Sequence, residues 1–138
     1  MSGDRRQQFD EVRVTHVIPA ALLFVALLTA GASSAAVAPT TAARTEIEQL
    51  LAFVAQSGCQ FNRNGTWYPA PEASAHLAKK ERYLEERGQI ASAEDFIAKA
   101  ATKSSMTGRP YMVRCGSEPA IASDEWLTAE LRRLRHGR

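Results

Sequence analysis

The stretch Cys59-Gln-Phe-Asn-Arg-Asn-Gly-Thr-Trp-Tyr-Pro69 decides the fold class of this chain. Asn64-Gly65 at its centre predicts a two-residue hairpin turn, because a type I′ turn requires positive φ at both central residues. The first arm alternates, with Cys59 and Phe61 on one face of a predicted strand. Pro69 ends the second arm. The sequence therefore predicts a β-hairpin inside a chain whose other segments look helical.

Four helices are predicted around this hairpin from apolar residues that recur at helical spacing. Each begins at a capping signal or at a proline, which favours the first helical turn. The predicted starts are Thr41 or Thr45, Pro71, Ser92 and Ser123. Gly58 and Gly88 end the first two helices, because glycine takes the left-handed conformation that follows many helices. Helices thus precede and follow the hairpin along the chain.

A further short strand is predicted at Tyr111–Cys115, where Tyr111, Val113 and Cys115 share one phase. The elements together predict an α+β fold. About four helices pack on a small, two- to three-stranded antiparallel sheet, and residues 39–138 form a single small domain.

The N-terminal segment carries the pattern of a secretory signal peptide. Basic residues precede the short apolar run Val17–Leu28, and small residues suited to cleavage follow between positions 32 and 38. A membrane span needs about 20 predominantly apolar residues, and this run is shorter and contains Pro19. We therefore expect residues 1–38 to be a signal peptide and the mature protein to be periplasmic. The alternative is an uncleaved segment that anchors the protein in the inner membrane.

The two cysteines, Cys59 and Cys115, are interpreted as one structural disulfide, because an exported chain matures in an oxidising compartment. A zinc site needs about four ligands, and few histidines accompany these thiols, so no metal is expected. No cofactor motif is present. The net charge of +2 gives no indication of nucleic-acid binding, and no stable membrane insertion is expected after cleavage.

His76 is the candidate catalytic residue of the predicted folded domain. As a general base it would act on a nucleophile at Ser104 or Ser105, which precede a turn. Neither serine lies in a recognised nucleophile motif. The structural alternative is a helix residue that hydrogen-bonds to Glu72 or Tyr83, and serines before a turn usually bond the local backbone.

Trp67 and Tyr68 follow the hairpin turn and provide the best candidate binding surface. They could present aromatic area to a partner or cover the apolar face of a thin sheet. Arg63, Asn64 and Arg109 would add polar groups if the hairpin and the loop around Gly108 approach each other. His76, Ser104 and Ser105 complete the set of candidate binding residues.

The two cysteine-centred blocks carry a resemblance to a known family. Ser57–Gly65, with its Gly-Cys-Gln-Phe-Asn-Arg core, and Ser104–Cys115, with its Gly-x-Pro-Tyr segment, resemble the YfeK-like family of small exported bacterial proteins of unknown function. His76-Leu77 and Ala93–Ile97 belong to the same resemblance, which spans roughly residues 46–134. It implies a bacterial envelope protein, supports the Cys59–Cys115 pairing and implies no activity.

These observations predict a non-enzymatic binding or interaction module of the bacterial envelope. Its partner would be an envelope protein or a cell-wall component, and an inhibitor that blocks an enzyme in trans is one form such a module takes. The competing hypothesis is a small envelope hydrolase that uses His76 with Ser104 or Ser105.

Overall fold

A computed structural model describes residues 37–137 of the chain. The predicted signal peptide lies outside the described residues except for positions 37 and 38. The helices are α1 (Thr41–Gln56), α2 (Ala70–Glu85), α3 (Ala93–Phe96), which continues as a π-helical turn (Ile97–Ala101), and α4 (Ser123–His136). The strands are β1 (Gln60–Arg63), β2 (Thr66–Pro69), β3 (Met112–Arg114) and β4 (Ile121–Ala122). The predicted α+β fold is confirmed.

The sheet is antiparallel and has the strand order β2-β1-β3-β4. It therefore has four strands, where two or three were predicted. The additional strand is Ile121–Ala122, two residues that pair with Val113 and Met112. So short a segment has no detectable alternation in the sequence, and only its position beside β3 makes it a strand.

The hairpin turn has the predicted conformation. Arg63 pairs with Thr66, which leaves Asn64 and Gly65 as the two turn residues, at φ 54° and 90°. Positive φ at both positions is the type I′ requirement, and asparagine and glycine are the residues that tolerate it best. The turn sets the register, so Phe61 lies opposite Tyr68.

The first and last helices begin at the predicted Thr41 and Ser123, α2 begins at Ala70, one residue before the predicted Pro71, and two predicted caps differ from those in the structure. Thr40 caps α1, its Oγ1 accepting from the Ala43 amide at 3.1 Å, so the predicted capping box at Thr45 is not the cap. Ser123 is the first residue of α4 and does not cap it: Ala122 holds the cap position without a side-chain hydrogen bond, and the Ser123 amide donates to the Tyr111 carbonyl at 3.0 Å. Ser92 caps α3 as predicted, its Oγ accepting from the Asp95 amide.

The helices and one face of the sheet enclose the core. Its largest fully buried side chains include Phe96, Leu50, Ile90, Leu127 and Val113. Trp126 of α4 stacks on Phe53 of α1 at 4.4 Å between ring centroids and meets the edge of Phe61 of β1 at 5.6 Å. These aromatic contacts attach the hairpin to the helical layer.

The disulfide Cys59–Cys115 is present, as predicted. The β1–β3 register, in which Gln60 pairs with Arg114, places these two cysteines opposite each other just beyond the ladder. Their Cα atoms are 4.3 Å apart, close to the spacing of directly opposed residues in a non-hydrogen-bonded antiparallel pair. The bridge therefore ties the start of β1 to the end of β3.

Among residues 37–137, no helix has both the length and the apolar character that a membrane crossing requires.

Candidate functional site

A small pocket lies between the hairpin and α2. Its volume is about 70 Å³, well below the roughly 300–1,000 Å³ of typical small-molecule pockets. The lining residues are Phe61, Asn62, Arg63, Tyr68, Glu72, Ala73, His76, Leu77, Tyr111 and Ser123. A space of this size admits one side chain of a partner more readily than a whole ligand.

The α2 helix supplies one wall of the pocket because of its residue spacing. Glu72, His76 and Lys80 follow one another at intervals of four, which places them on one helix face. Ala73 and Leu77 lie beside this face and are buried against the core. The wall is thus apolar at depth and polar at its rim.

The strands supply the opposite wall through their alternation. Phe61 and Tyr68 are paired across β1 and β2, so their side chains share a face of the sheet. Arg63 lies on the same face as Phe61, and its guanidinium stacks over the Tyr68 ring at 4.7 Å. The hairpin therefore brings a cation into an aromatic wall.

His76 is hydrogen-bonded through both ring nitrogens. Arg63 Nη1 donates to Nδ1 at 2.6 Å, and Nε2 lies 3.3 Å from the Tyr111 hydroxyl. A guanidinium can only donate, so Nδ1 carries no proton and Nε2 carries the one proton of a neutral imidazole. The partners of His76 come from β1 and from the residue before β3, and neither is the Glu72 or Tyr83 of the sequence-based alternative.

Burial and the surrounding cations favour this neutral form. Desolvation lowers the pKa of His76 below its ordinary value, and the charges of Arg63, Lys80 and Lys79 lower it further.

Burial also raises the pKa of the Tyr111 hydroxyl, an effect that Arg63 partly offsets. Burial lowers the pKa of Lys80. The Lys80 ammonium lies 5.2 Å from the centre of the Tyr111 ring and donates to the Lys103 carbonyl at 2.7 Å.

The two candidate nucleophiles organise a loop. Ser104 is buried, and its Oγ accepts from the amides of Met106 and Thr107, each at 3.3 Å. Ser105 is exposed. Each nitrogen of His76 is already engaged, by Arg63 and by Tyr111. The hydrogen bonds of the described residues therefore join neither serine to the imidazole.

The loop around Gly108 does approach the hairpin. Thr107 Oγ1 donates to Asn64 Oδ1 at 2.6 Å, and Arg109 Nη1 lies near Gly65. The hairpin and this loop therefore meet, which was the condition for Arg63, Asn64 and Arg109 to add polar groups to one surface. Met106 projects from this loop with 93 % of its surface exposed.

Trp67 and Tyr68 do not form one surface. Tyr68 faces the pocket, whereas Trp67 pairs with Asn62 and points to the other side of the sheet. There, Arg114 stacks on the Trp67 ring at 4.3 Å and donates to Gln60 Oε1 at 2.6 Å. Of the two aromatic residues, only Tyr68 lines the pocket.

Sequence analysis did not assign Tyr111, Lys80 or Phe61 to a site. Phe61 and Tyr111 were recognised only as apolar-phase strand residues. The alternation of β1 could have indicated that Phe61 and Arg63 share a face. No sequence signal indicates that Tyr111 reaches His76, because that contact joins residues 35 positions apart.

Within the described part of the chain, no group of three His, Cys, Asp or Glu side chains could hold a metal ion.

No curated protein and no solved structure matches the chain. The model of a family of unknown function, DUF5329, matches residues 41–135. That range holds every element of the described fold, from the first residue of α1 to within one residue of the end of α4. The chain therefore belongs to the DUF5329 family.

Proposed function

We propose that this protein is an exported, non-enzymatic binding module that recognises a protein partner of the bacterial envelope through the pocket between the hairpin and α2. The observation that carries the proposal is the shape and chemistry of this pocket. It is small, its buried lining is aromatic and aliphatic apart from Ser123, and its charged side chains are more exposed.

The state of His76 supports binding over catalysis. A general base needs a ring nitrogen that is free to accept a proton from the substrate. Nδ1 of His76 already accepts from Arg63, and Nε2 already holds a proton and faces Tyr111. The imidazole therefore acts as a rigid support that orients the guanidinium and the phenol at the pocket rim.

The envelope location rests on the N-terminal signal pattern and on the resemblance of the cysteine-centred blocks to the YfeK-like family. The Cys59–Cys115 disulfide also supports it, because structural disulfides persist in oxidising compartments. Measuring the intact mass of protein recovered from the periplasm tests the location. Removal of a leader between positions 32 and 38, with both thiols oxidised, is expected.

Site-specific photocrosslinking in the envelope tests the pocket. A photoreactive amino acid at Glu72, which is exposed at the pocket rim, should capture a partner protein. The same amino acid at Glu125, exposed on α4, is the matched control and should capture none.

Alanine substitutions in β2 sharpen this test. Tyr68→Ala removes a pocket wall and should abolish the crosslink at Glu72, whereas Trp67→Ala removes an aromatic ring on the other face and should preserve it. Equal losses in both variants, or equal crosslinking from Glu72 and Glu125, would contradict the assignment of the pocket as the binding surface.

A further inference from the structure

The charges around the pocket lead to a more specific statement about its occupant. This inference rests on the proposed function, because it concerns the group that the same pocket binds.

Arg63 is a half-buried guanidinium without a carboxylate partner among residues 37–137. Within the described part of the chain, its one hydrogen bond goes to the neutral His76 ring, and its remaining contact is the Tyr68 face. A guanidinium has five N–H donors in a planar fork. Four of them are therefore available at the rim of an apolar pocket.

The neighbouring charges reinforce this positive rim. The charges of Lys80 and Lys79 lower the pKa of His76, as the charge of Arg63 does. The Glu72 carboxylate also lines the pocket, but it is exposed and therefore strongly screened by water. A partner group that brings a negative charge next to Arg63 would meet complementary charge.

We propose that the pocket binds the C-terminal residue of a partner polypeptide, with an apolar side chain inserted between Phe61 and Leu77 and its α-carboxylate paired with Arg63.

The position of Arg63 favours a terminal carboxylate over an acidic side chain. The guanidinium lines the same small pocket that would receive the apolar side chain, so both groups of the ligand must belong to nearly the same position. In an extended peptide, the side chain of the adjacent residue points to the opposite side. Only a C-terminal residue carries a side chain and a carboxylate on one Cα atom. An arginine fork binds a carboxylate through two parallel hydrogen bonds.

Synthetic peptides test the proposal. The probes are acetylated hexapeptides that end in leucine as the free acid, leucine as the amide, or glycine as the free acid. A fourth probe places leucine before an internal aspartate and ends in an amide. Binding of each to the full folded domain is measured by isothermal titration calorimetry.

We expect the leucine free acid to bind at least about 10-fold more tightly than the leucine amide and the aspartate probe, since a charge-assisted pair is among the stronger polar contacts. It should also bind at least about 10-fold more tightly than the glycine free acid, which has no apolar side chain to bury. Arg63→Gln should remove the preference for the free acid over the amide. Arg114→Gln is the matched control, because it removes a ring-stacked arginine from the other face of the sheet and should leave the preference intact. Glu72→Gln, which removes the one acidic side chain of the rim, should leave the preference intact or increase it.

Each remaining outcome contradicts the proposal. Equal binding of acid and amide would exclude the carboxylate contact while leaving the pocket as a side-chain site. Equal binding of the aspartate probe would exclude the C-terminal source. Absence of binding by all four peptides would reject the ligand class, and the Glu72 crosslinking experiment would then decide separately whether the pocket binds a partner.

Discussion

The described chain uses its cations differently in two regions. In the first, which we call the paired-charge region, arginines meet carboxylates: Arg135 with Glu46 and Glu94, and Arg133 with Glu130. In the second, the ring-stacked region, Arg63, Lys80 and Arg114 lie over Tyr68, Tyr111 and Trp67 and bond to neutral acceptors. The difference separates cations that neutralise carboxylates from cations that lie over aromatic rings with no carboxylate partner among the described residues.

Burial explains the pairing in the first region. Glu46 and Glu130 are both buried, and a buried carboxylate is costly unless a cation and hydrogen bonds compensate it. Arg135 donates to both oxygens of Glu46, at 3.1 and 2.9 Å, and thereby joins α4 to α1. Its bond to Glu94 lowers the pKa of that carboxyl below the ordinary value. Both buried carboxylates of the paired-charge region thus have an arginine partner.

Truncating a side chain of the hydrophobic core beneath the paired-charge region should give the largest loss of stability. Phe96→Ala removes a fully buried ring from α3, next to Glu94, and should lower the free energy of unfolding by about 3–5 kcal/mol. Denaturant titration measures this change. Met106→Ala, at a 93 % exposed position, is the control and should change stability by no more than about 0.5 kcal/mol. Similar losses in both variants would show that the core lies elsewhere.

Removal of the disulfide should affect the ring-stacked region selectively. The double variant Cys59→Ala/Cys115→Ala frees residues 56 positions apart, and a loop of that length corresponds to up to about 4 kcal/mol of stability on the chain-entropy model. Amide hydrogen exchange should accelerate more in β1 and β3 than in α1. Uniform acceleration throughout the chain would mean that the two regions unfold as one unit.

Arginine truncations should distinguish the regions directly. Arg135→Ala should cost about 1–2 kcal/mol of unfolding free energy. This is less than the 3–5 kcal/mol for a fully buried pair, because the Arg135 side chain is 44 % exposed. Arg114→Ala should cost no more than about 1 kcal/mol, the range of an exposed cation–π contact. Thermal denaturation in low and high salt measures both, and only the Arg135 effect should shrink in high salt.

The control for these two truncations is Arg132→Ala. Arg132 is exposed on the same helix as Arg135, and its truncation should leave the free energy of unfolding almost unchanged. A loss at Arg132 equal to that at Arg135 would contradict the role assigned to the paired charges.

The smallest expected effect is a pH dependence of the ring-stacked region. The pKa of His76 is lower in the folded protein than its ordinary value of 6.5, so the unfolded chain binds the proton first as pH falls. The stability contributed by neutral His76 is therefore complete above pH 6.5 and decreases as pH falls through 6.5 toward the folded pKa. Urea titrations between pH 7.5 and 5.5 should show this loss in the unaltered protein.

His76→Asn is the reference for that titration, because it retains polar atoms and does not titrate. The stability difference between the two proteins should narrow as pH falls. A difference that is independent of pH, or one that widens, would contradict the assignment of a neutral imidazole held by Arg63 and Tyr111.

The sequence predicted the features that depend on a few adjacent residues. Asn64-Gly65 specified the turn, and the alternation around Phe61 and Val113 placed these side chains in the core. Helices were predicted correctly from apolar spacing. The predictions that were wrong concern boundaries: the cap of α1, the role of Ser123 and the two-residue strand β4. At Ser123 and β4, backbone hydrogen bonds to a neighbouring segment decide the outcome, whereas at α1 the cap is another threonine of the same turn, Thr40.

The sequence by itself determined the hairpin, the helical layer and the pairing of the only two cysteines, because local conformational preference and composition decide such features. Tertiary structure alone decided which distant polar side chains meet. Arg135 reaches Glu46 across 89 positions, and Tyr111 reaches His76 across 35. Side chains so far apart are brought together only by the packing of helices on a sheet, and this packing leaves Arg63 at a pocket rim without a carboxylate among the described residues.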